Sequence, residues 1–304
     1  MRLGIDIGGT KTDAVAVLDD GTTSTRIRLA TGFGPEAVTA SAIASIVQVC
    51  ELTGTDAAAL ESIGIGIPGF VEGGSLVHHA VNLGVESLDL GGAVSRRFGV
   101  ATVVENDVKA AALGAYHVLG LEGSMAYLNL GTGLAAGLVV NGRLWRGAYG
   151  TAGEIGHIPI DPAGVLCACG QHGCLETVAS GSGVARLWRT DDEHPARALM
   201  AAALARDEEA LIVARRLFEG IASAVRVLVL TVDVDTVVIG GGLSHLGDAL
   251  VAGVSGVLAE WASSSAFLAS LHLADRLRLI PEGVPVAAIG AGLVGTVEEG
   301  VTVG

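Results

Sequence analysis

The chain has 304 residues, of which half are hydrophobic and 4% aromatic, with 45 glycines and a net charge of −14. The length allows two modest domains, and the composition is typical of an α/β protein with glycine-rich turns, which excludes a disordered chain. The acidic balance disfavours binding to nucleic acids or anionic membranes, because these need clustered Lys and Arg. A small phosphorylated ligand is compatible with it, since such a ligand needs only local donors.

The sequence carries no sign of membrane insertion or export. No uninterrupted apolar run reaches the roughly 18 residues of a membrane span, and Met1 leads directly into a predicted strand without a signal peptide. Three of the four cysteines crowd into residues 167–174, while Cys50 lies in a predicted helix, where we expect it to pack as a small hydrophobe. A secreted disulfide framework would spread its cysteines more evenly. We therefore expect a cytoplasmic protein with a metal site and one buried thiol.

The N-terminal segment "LGIDIGGTKTDAVAVLDDG", residues 3–21, shares its glycines, threonines and lysine with a phosphate-binding P-loop. In the P-loop pattern a lysine directly follows the second glycine, whereas Thr10 takes that place here. Alternating valines after Asp13 predict a second strand and not the helix that a P-loop opens. The segment therefore predicts a strand, a Gly-Gly-Thr-Lys-Thr turn and a strand. The glycine N–H groups and threonine hydroxyls suit a phosphate, and an ordinary hairpin turn is the alternative.

Strands and helices alternate along the rest of the first half. The predicted elements are a three-stranded meander at 3–29, a helix at 35–51, a buried strand at 62–71 that ends in a glycine–proline loop, a short helix at 90–99, and a strand and a helix at 100–119. This alternation predicts a largely parallel or mixed sheet with helices on its faces.

A second module begins near residue 118. The segment 125–144, "MAYLNLGTGLAAGLVVNGRL", repeats the N-terminal order of strand, glycine–threonine turn, strand and tight turn, which indicates an internal duplication. Later, "VDTVVIGGGLSHLGDALV" predicts a strand, a triple glycine and a helix that begins near Ser244. Such a turn can hold a nucleotide's phosphates or ribose, and a plain strand-to-helix turn is the alternative. Further helices are predicted at 183–190, 195–230 and 287–299.

The strongest chemical signal spans residues 153–176, "GEIGHIPIDPAGVLCACGQHGCLE". Together with His157, the cysteines at 167, 169 and 174 supply three thiolates and one imidazole, the donor set of a closed, tetrahedral zinc site of the structural kind. The glycines between the cysteines let the chain fold tightly around a metal. The C-x-C-x4-C spacing is unusual for a zinc finger, redox chemistry of the cysteines is the alternative, and His172 is a competing ligand. The predicted metal ligands are His157, Cys167, Cys169 and Cys174.

These segments together resemble the ROK family of bacterial sugar kinases and sugar-responsive repressors. The resemblance rests on "DIGGTKT", "GIPG", "ENDVKAAALG", "LNLGTGLAAG", "GEIGH", "CACGQHGCLE" and "VVIGGGLS", which occur in the family order over nearly the whole chain. It implies an α/β, actin-like ATPase fold, duplicated and ribonuclease H-like, with two lobes and a central cleft. We expect the lobes at residues 1–118, joined by a C-terminal helix at 288–304, and at 119–287.

The resemblance also implies roles for individual residues. Asp107 matches the catalytic base, which would accept the proton of a sugar hydroxyl; helix capping is the alternative for an Asp there. Asp6 would hold Mg²⁺ through water, or else bond its own turn. The positions that match sugar ligands are Gly69, Asn106, Asp107, Glu154, His157 and Glu176. The positions that match ATP contacts are Gly8, Gly9, Thr10, Lys11, Thr12, Gly131, Thr132 and Gly133 at the phosphates, and Gly240, Gly241 and Gly242 near the adenosine.

The metal site and the sugar site would share residues under this resemblance. One ring nitrogen of His157 would bind zinc and the other would face a sugar hydroxyl. The zinc would also position Glu176, acting as a brace and not as a Lewis acid. The alternatives are a solvated Lys11 and surface carboxylates at Glu154 and Glu176. At Lys109 the sequence departs from the family, which often has an asparagine, and that side chain could approach the cleft or lie in solvent.

The implied function is that of an ATP-dependent hexose kinase, with glucose phosphorylated at its 6-OH as the first expectation. Mannose, N-acetylglucosamine, N-acetylmannosamine, allose and fructose are alternative acceptors, and polyphosphate is an alternative donor. A sugar-sensing repressor of the family fits less well, because such repressors carry an N-terminal helix-turn-helix domain and this chain is acidic. A non-catalytic sugar-binding protein is the third class. Family members are commonly dimers or tetramers, so we expect a homo-oligomer without nucleic-acid or membrane partners.

Overall fold

The structure, a computed structural model, describes residues 1–18 and 21–294. By its internal contacts the chain forms two units: the first contains Met1–Glu122, Val139–Gly150 and the described residues from Gly283 onward, and the second contains Gly123–Leu138 and Thr151–Glu282. The lobes expected at 1–118 and 119–287 stay a prediction, and the chain's return to the first unit at Val139 was not foreseen. Asp19 and Asp20 of the predicted turn and residues 295–304 of the predicted last helix lie outside the described residues.

Strands and helices alternate through both units. The strands are β1 Arg2–Ile7, β2 Lys11–Val17, β3 Thr23–Ala30, β4 Ile63–Ile67, β5 Phe70–Glu72, β6 Leu76–Ala80, β7 Val85–Asp89, β8 Thr102–Asn106, β9 Ser124–Leu130, β10 Leu134–Val140, β11 Arg143–Leu144, β12 Thr236–Gly240 and β13 Leu277–Leu279. The helices are α1 Pro35–Thr53, α2 Leu90–Phe98, α3 Asp107–Val118, α4 Gly181–Leu187, α5 Pro195–Leu204, α6 Glu208–Val232, α7 Asp248–Ser264, α8 Ala266–Ser270 and α9 Val286–Val294.

A five-stranded mixed sheet organises the first unit. Its strand order is β3-β2-β1-β4-β8, in which β1, β2 and β3 are mutually antiparallel neighbours and β1, β4 and β8 run parallel. Strand β4 is buried at every position, and Asp6 is the one residue of β1 that is not fully buried. This continuous burial is expected for parallel strands that are covered on both faces.

Helix α1 packs on this sheet. By length and composition alone it could cross a membrane, but Val38, Ala42, Ile46 and Val49 lie in the hydrophobic core of the first unit. A core helix passes the same composition test. The buried stripe explains the apolar character of α1 without a membrane.

The second unit repeats the architecture of the first. Its sheet has the order β11-β10-β9-β12-β13, with β9, β12 and β13 parallel, so each strand has a counterpart in the first sheet. Helices α6 and α7 pack together, and Ile221 and Val225 of α6 share a core with Leu128 and Ile239 of the sheet. The duplication and the actin-like fold predicted from the sequence are thereby confirmed.

Several predicted elements differ in detail. The strand predicted at 62–71 ends at Ile67, and a separate three-stranded antiparallel sheet, β5-β6-β7, follows it. The helix predicted at 195–230 is two helices, because Arg206 has a φ of 65° and Asp207 caps α6 by accepting a hydrogen bond from the Ala210 N–H. The triple glycine leads into a 3₁₀ turn at Gly242–Leu246, and α7 begins only at Asp248.

Helices α3 and α9 cross in close backbone contact. A Cβ atom at Gly290 would lie 1.7 Å from the Ala110 carbonyl oxygen, and one at Gly114 would lie 1.9 Å from the Val286 carbonyl oxygen. No side chain fits at either position without moving a helix. This contact holds α3, which begins at Asp107, against the core.

We expect Gly290→Ala to destabilise the protein by about 2–3 kcal/mol, since the added methyl group must push the two helices apart. The matched control is Gly256→Ala in α7, where a Cβ would meet nothing within 4 Å. That substitution should stabilise by about 0.5–1 kcal/mol through helix propensity. Thermal unfolding of both variants measures the contrast, and equal effects would contradict the proposed close contact.

Candidate functional site

The carboxyl ends of β1, β4 and β8 form one edge of the first sheet, and several predicted site residues collect there. The strand register aligns Asp6 with Gly66 and Gly66 with Glu105, and Asn106 and Asp107 follow directly. Ligands of open α/β sheets bind outside this edge. Residues that are far apart in sequence are therefore brought to one place by the pairing of the strands.

Asn106 and Asp107 shape the start of α3. The Asn106 side chain is the N-cap: its Oδ1 accepts hydrogen bonds from the N–H groups of Val108 and Lys109, and its Nδ2 donates to the Gly69 carbonyl oxygen at 3.2 Å. Asp107 is the first helical residue, and its Oδ1 accepts from the Val108 N–H at 2.9 Å. The alternative that Asp107 is the N-cap is wrong, because Asn106 takes that position.

A cluster of carboxylates surrounds Asp6. Asp13 lies opposite Asp6 in the antiparallel pair β1–β2, and Arg28 holds Asp13 in a bidentate ion pair, with Arg26 adding a contact at 3.1 Å. Burial, followed by the charges of Asp107 and Asp13, raises the pKa of Asp6 to about 7. Such a group of carboxylates favours a cation, which would offset their repulsion.

Asp13 is a residue that the sequence reasoning missed. A hairpin that pairs Ile7 with Thr12 must also pair Asp6 with Asp13. The symmetric position of the two aspartates about the predicted turn was therefore a usable signal.

The glycine turn between β1 and β2 closes through a hydrogen bond from the Gly8 N–H to the Lys11 carbonyl oxygen at 2.9 Å. Residues 8–11 are partly or fully exposed. Thr12 differs, because its side chain is fully buried and its hydroxyl bonds that of Thr31 at 2.8 Å. Thr12 therefore supports the turn from inside, and the exposed residues are the ones that can meet a phosphate directly.

Two basic side chains fix the loop after β11 to the end of β8 and the start of α3. Lys109 is buried and its ammonium group donates to the Gly150 carbonyl oxygen, so it does not lie in solvent. The buried Glu105 carboxylate accepts from Arg146 Nε at 2.7 Å and from the Asn106 N–H at 2.9 Å. The Glu105–Arg146 pair carries no sequence signal, because the two residues lie far apart in the chain.

The four predicted metal ligands come together in the second unit. One ligand atom from each of His157, Cys167, Cys169 and Cys174 lies within 4.8 Å of all the others. His157 Nδ1 is 3.7 Å from Cys167 Sγ, and Cys169 Sγ is 3.6 Å from Cys174 Sγ. A tetrahedral Zn²⁺ with Zn–S bonds of about 2.3 Å has ligand–ligand edges of about 3.8 Å. The donor set and its spacing therefore fit zinc.

The chain folds tightly around this cluster. Two backbone bridges, Pro159 with Cys174 and Leu166 with His172, bring the segment back on itself. His172, the competing ligand, lies outside this cluster, and its Nδ1 is 3.0 Å from the Gly164 carbonyl oxygen.

The thiols of the cluster differ in acidity. Hydrogen bonds from the backbone and side chain of Gln171 lower the pKa of Cys169 to about 6, whereas burial raises that of Cys174. No disulfide joins the four cysteines, all of which lie in the described part of the chain, so the thiols are available to a metal.

Glu154 and Glu176 lie at two short turns near the cluster of His157 and the three cysteines, called here the metal cluster. Glu154 is exposed and precedes a 3₁₀ turn at Ile155–His157, and Glu176 lies in the 3₁₀ turn Leu175–Thr177, which packs against the first turn. Glu176 Oε1 lies 3.8 Å from Cys167 Sγ. The segment that carries Glu154 rests directly on β10, where a Cβ at Gly153 would lie 1.8 Å from the Ala136 carbonyl oxygen.

Two glycine turns, one predicted to contact the phosphates and one the adenosine, lie side by side at the carboxyl edge of the second sheet. Strand pairing sets Gly240 beside Asn129, and a Cβ at Gly241 would lie 2.7 Å from the Leu130 carbonyl oxygen. A cavity of about 530 Å³ opens here. Its lining comprises Gly131, Thr132, Gly181, Ser182, Ala185, Gly242 and Leu243.

Comparison with known proteins agrees with this architecture. The ROK family profile matches residues 2–275. A ROK family glucokinase from Streptomyces griseus, solved with glucose and AMPPNP, superposes with a TM-score of 0.77 at 28% identity over 96% of this chain and 98% of that chain. The fold is thus that of the actin-like sugar kinases, and the chain belongs to the ROK family.

Two curated relatives differ in the sugar that their names specify. A glucokinase of Streptomyces coelicolor is 39% identical over 189 residues, which are 61% of this chain and 58% of that protein. An N-acetylmannosamine kinase of Citrobacter koseri is 34% identical over 263 residues, which are 85% of this chain and 88% of that protein. The match to the glucokinase spans less than two thirds of its length.

We expect Cys169→Ser to abolish metal binding, because a serine hydroxyl is a poor substitute for a thiolate in a four-ligand site. Elemental analysis of the purified protein for zinc measures the loss. Cys50→Ser, which changes the buried thiol of α1, should keep its metal. An unchanged zinc content in Cys169→Ser would refute the ligand assignment.

The raised pKa of Asp6 predicts a pH-dependent stability. Because the folded state holds this proton more tightly than the unfolded chain, stability falls as the pH rises from about 4 to about 7. Asp6→Asn removes this loss of stability. The difference in unfolding free energy between Asp6→Asn and the unsubstituted protein should therefore shift in favour of the variant by about 2 kcal/mol or more as the pH rises from about 5 to about 8. Thermal unfolding without divalent cations measures this difference. The exposed Asp191→Asn serves as control and should show no such trend.

Proposed function

We propose that this protein is an ATP-dependent hexose kinase that transfers the γ-phosphoryl group to a sugar hydroxyl. The observation that carries the proposal is the position of Asp107 at the first turn of α3, beside Asn106 and within electrostatic range of Asp6. Phosphoryl transfer needs positioned groups, charge neutralisation and an acceptor for the nucleophile's proton. Membership of the ROK family and the kinase names of its relatives support the same reaction.

Asp107 is proposed as the base that accepts the proton of the sugar hydroxyl. Asp6 is proposed to hold Mg²⁺ through water, and its neighbours Asp13 and Asp107 supply the negative field that attracts the ion. Mg²⁺ neutralises charge on the transferred phosphoryl group. Cation binding would also return Asp6 to its ionised form, because a nearby positive charge lowers a carboxyl pKa.

ATP is proposed to contact the glycine turns that match the family's nucleotide positions. Gly8, Gly9, Thr10 and Lys11 offer N–H groups, a hydroxyl and an ammonium group to the phosphates. Gly131, Thr132 and Gly133 are further proposed phosphate contacts, and Gly240, Gly241 and Gly242 are proposed to lie near the adenosine. The cavity of about 530 Å³ at this turn supports a nucleoside-sized ligand. The relative solved with AMPPNP agrees with a nucleotide donor.

The sugar is proposed to be held by Gly69, Asn106, Asp107, Glu154, His157 and Glu176. His157 Nδ1 faces the thiol cluster, which leaves Nε2 for a sugar hydroxyl. Zinc, held by His157, Cys167, Cys169 and Cys174, would fix the tautomer and orientation of that ring. The metal acts as a structural brace in this proposal, and the reaction takes place at Asp107.

Glucose phosphorylated at its 6-OH is the first proposed reaction, on the strength of the Streptomyces relatives. N-acetylmannosamine is favoured next, because the Citrobacter relative aligns over most of both chains. Mannose, N-acetylglucosamine, allose and fructose are further acceptors to test, with polyphosphate as a further donor. A reaction that consumes ATP, together with a cluster of reduced thiols, supports a cytoplasmic location, and the family supports a homo-oligomer.

The deciding experiment measures ADP release with ATP, Mg²⁺ and each of these hexoses in turn. Sugar-dependent ADP release supports the kinase. ATP turnover that does not respond to any sugar, with sugar binding intact, would instead favour a sugar-sensing or sugar-binding protein of the same family.

We expect Asp107→Asn to lower kcat by roughly 100- to 10,000-fold while sugar affinity stays nearly unchanged, because the amide keeps the shape but cannot accept the proton. The matched control is Asp248→Asn, which changes the exposed first residue of α7 as Asp107 is the first residue of α3. Steady-state kinetics and equilibrium sugar binding separate the two effects. Full turnover in Asp107→Asn would remove Asp107 from the role of base.

A further inference from the structure

The Glu176 carboxylate lies between two groups of the second unit. Its Oε1 lies 3.8 Å from the Sγ of the metal-cluster residue Cys167, and its Oε2 accepts a hydrogen bond from the Leu134 N–H at 3.1 Å. Leu134 is the first residue of β10 and directly follows the glycine turn Gly131–Gly133. One side chain thus connects the cysteine cluster with the end of the turn that is proposed to hold phosphates.

The same carboxylate sets the shape of the turn. A Cβ at Gly133 would lie 2.3 Å from Glu176 Oε2, so a side chain at Gly133 would have to displace the carboxylate. The absence of a Cβ lets Glu176 reach the backbone of Leu134. The glycine at position 133 is therefore required by the Glu176 contact as well as by any ligand.

The other end of the turn is held by the start of α4. The Gly181 N–H donates to the Gly131 carbonyl oxygen at 2.8 Å, and the Ser182 N–H and hydroxyl both donate to the Thr132 carbonyl oxygen, at 3.2 and 2.7 Å. These three bonds leave the N–H groups of the turn unused by α4. The start of α4 thereby fixes the turn through two of its carbonyl groups.

The segment that joins Glu176 to Ser182 is itself rigid. The Ser180 hydroxyl donates to the Glu176 carbonyl oxygen at 2.8 Å, and Arg186 of α4 donates to the Thr177 carbonyl oxygen. The backbone between the two contacts to the glycine turn is therefore held at both of its ends. A shift of Glu176 would be passed on to the turn at Leu134 and at Thr132.

We propose that Glu176 and Ser182 are positioning residues for the nucleotide, and that Glu176 links the metal cluster to the glycine turn Gly131–Gly133. The inference rests on the proposed function, because it takes this turn to be a nucleotide contact. It adds to the sugar role of Glu176 a second task on the donor side. Loss of the metal then weakens nucleotide binding even when no sugar is present.

The test measures binding of Mg²⁺–ADP and Mg²⁺–AMPPNP by calorimetry in the absence of sugar. Glu176→Ala should weaken nucleotide affinity about tenfold, since the buried Leu134 N–H loses its acceptor. Glu176→Gln keeps a carbonyl acceptor and should lose less than about threefold. Ser182→Ala should weaken nucleotide affinity by about three- to tenfold and leave sugar affinity unchanged. Ser270→Ala, which removes a comparable hydroxyl-to-carbonyl bond in α8, should alter neither.

Removal of the metal by a chelator tests the link to the cluster. Chelation should weaken nucleotide binding in the unsubstituted protein and have little further effect in Glu176→Ala, because coupled groups give non-additive changes. Additive effects would overturn the link, and unchanged nucleotide affinity in Glu176→Ala and Ser182→Ala would overturn the positioning role. If the unsubstituted protein binds no nucleotide, the proposed function fails instead. Circular dichroism confirms folding, and Ser182→Ala carries the test should Glu176→Ala not fold.

Discussion

Backbone hydrogen bonding between parallel strands is the constraint on which the candidate site depends. The pairing of β1 with β4 and of β4 with β8 aligns Asp6, Gly66 and Glu105, and the chain delivers Asn106 and Asp107 one step beyond. A slip of one residue in either ladder would turn these side chains to the opposite face. The second sheet repeats the constraint, because the pairing of β12 with β9 sets Gly240 beside Asn129. Both groups of site residues therefore lie at the carboxyl edge of a sheet, where backbone and side-chain donors are not used by the ladder.

Repulsion between carboxylates destabilises the first unit at the carboxyl edge of its sheet. Asp6 is partly buried and close to two other carboxylates, and the ion pairs of Arg26 and Arg28 are formed with Asp13 and not with Asp6. A fold selected for stability alone would place a neutral or apolar residue at Asp6. Binding of a cation would offset this repulsion, because each carboxylate is attracted to the ion. The raised pKa of Asp6 therefore agrees with the proposed cation site.

Much of this arrangement was predictable from local pattern, and the remainder depends on distant pairing. The glycine–threonine hairpins, their duplication and the cluster of the four predicted metal ligands follow from short motifs, whose residues are close in sequence. The short sheet β5-β6-β7 was missed, because its strands of three to five residues carry little periodic signal. Helices α5 and α6 were joined in the prediction, since the left-handed backbone at Arg206 is unusual for an arginine. The Glu105–Arg146 pair and the Lys109 contact to Gly150 depend on tertiary packing, which no local pattern encodes.

The segment around His157 and the three cysteines buries little apolar surface. This explains why a metal would be needed to order the segment. Ile158, Ile160, Val165 and Leu166 are 37%, 41%, 43% and 59% exposed, so the apolar side chains of this segment contribute little to a core. Segments that bury so little surface commonly depend on disulfides or metals for their order, and no disulfide joins the cysteines, all of which are described. The free energy of metal binding to a cluster that the unfolded chain lacks becomes folding free energy of the segment. Because His157 and Glu176 are held within or against the cluster, the same free energy would also fix the groups proposed to meet the sugar and the nucleotide turn.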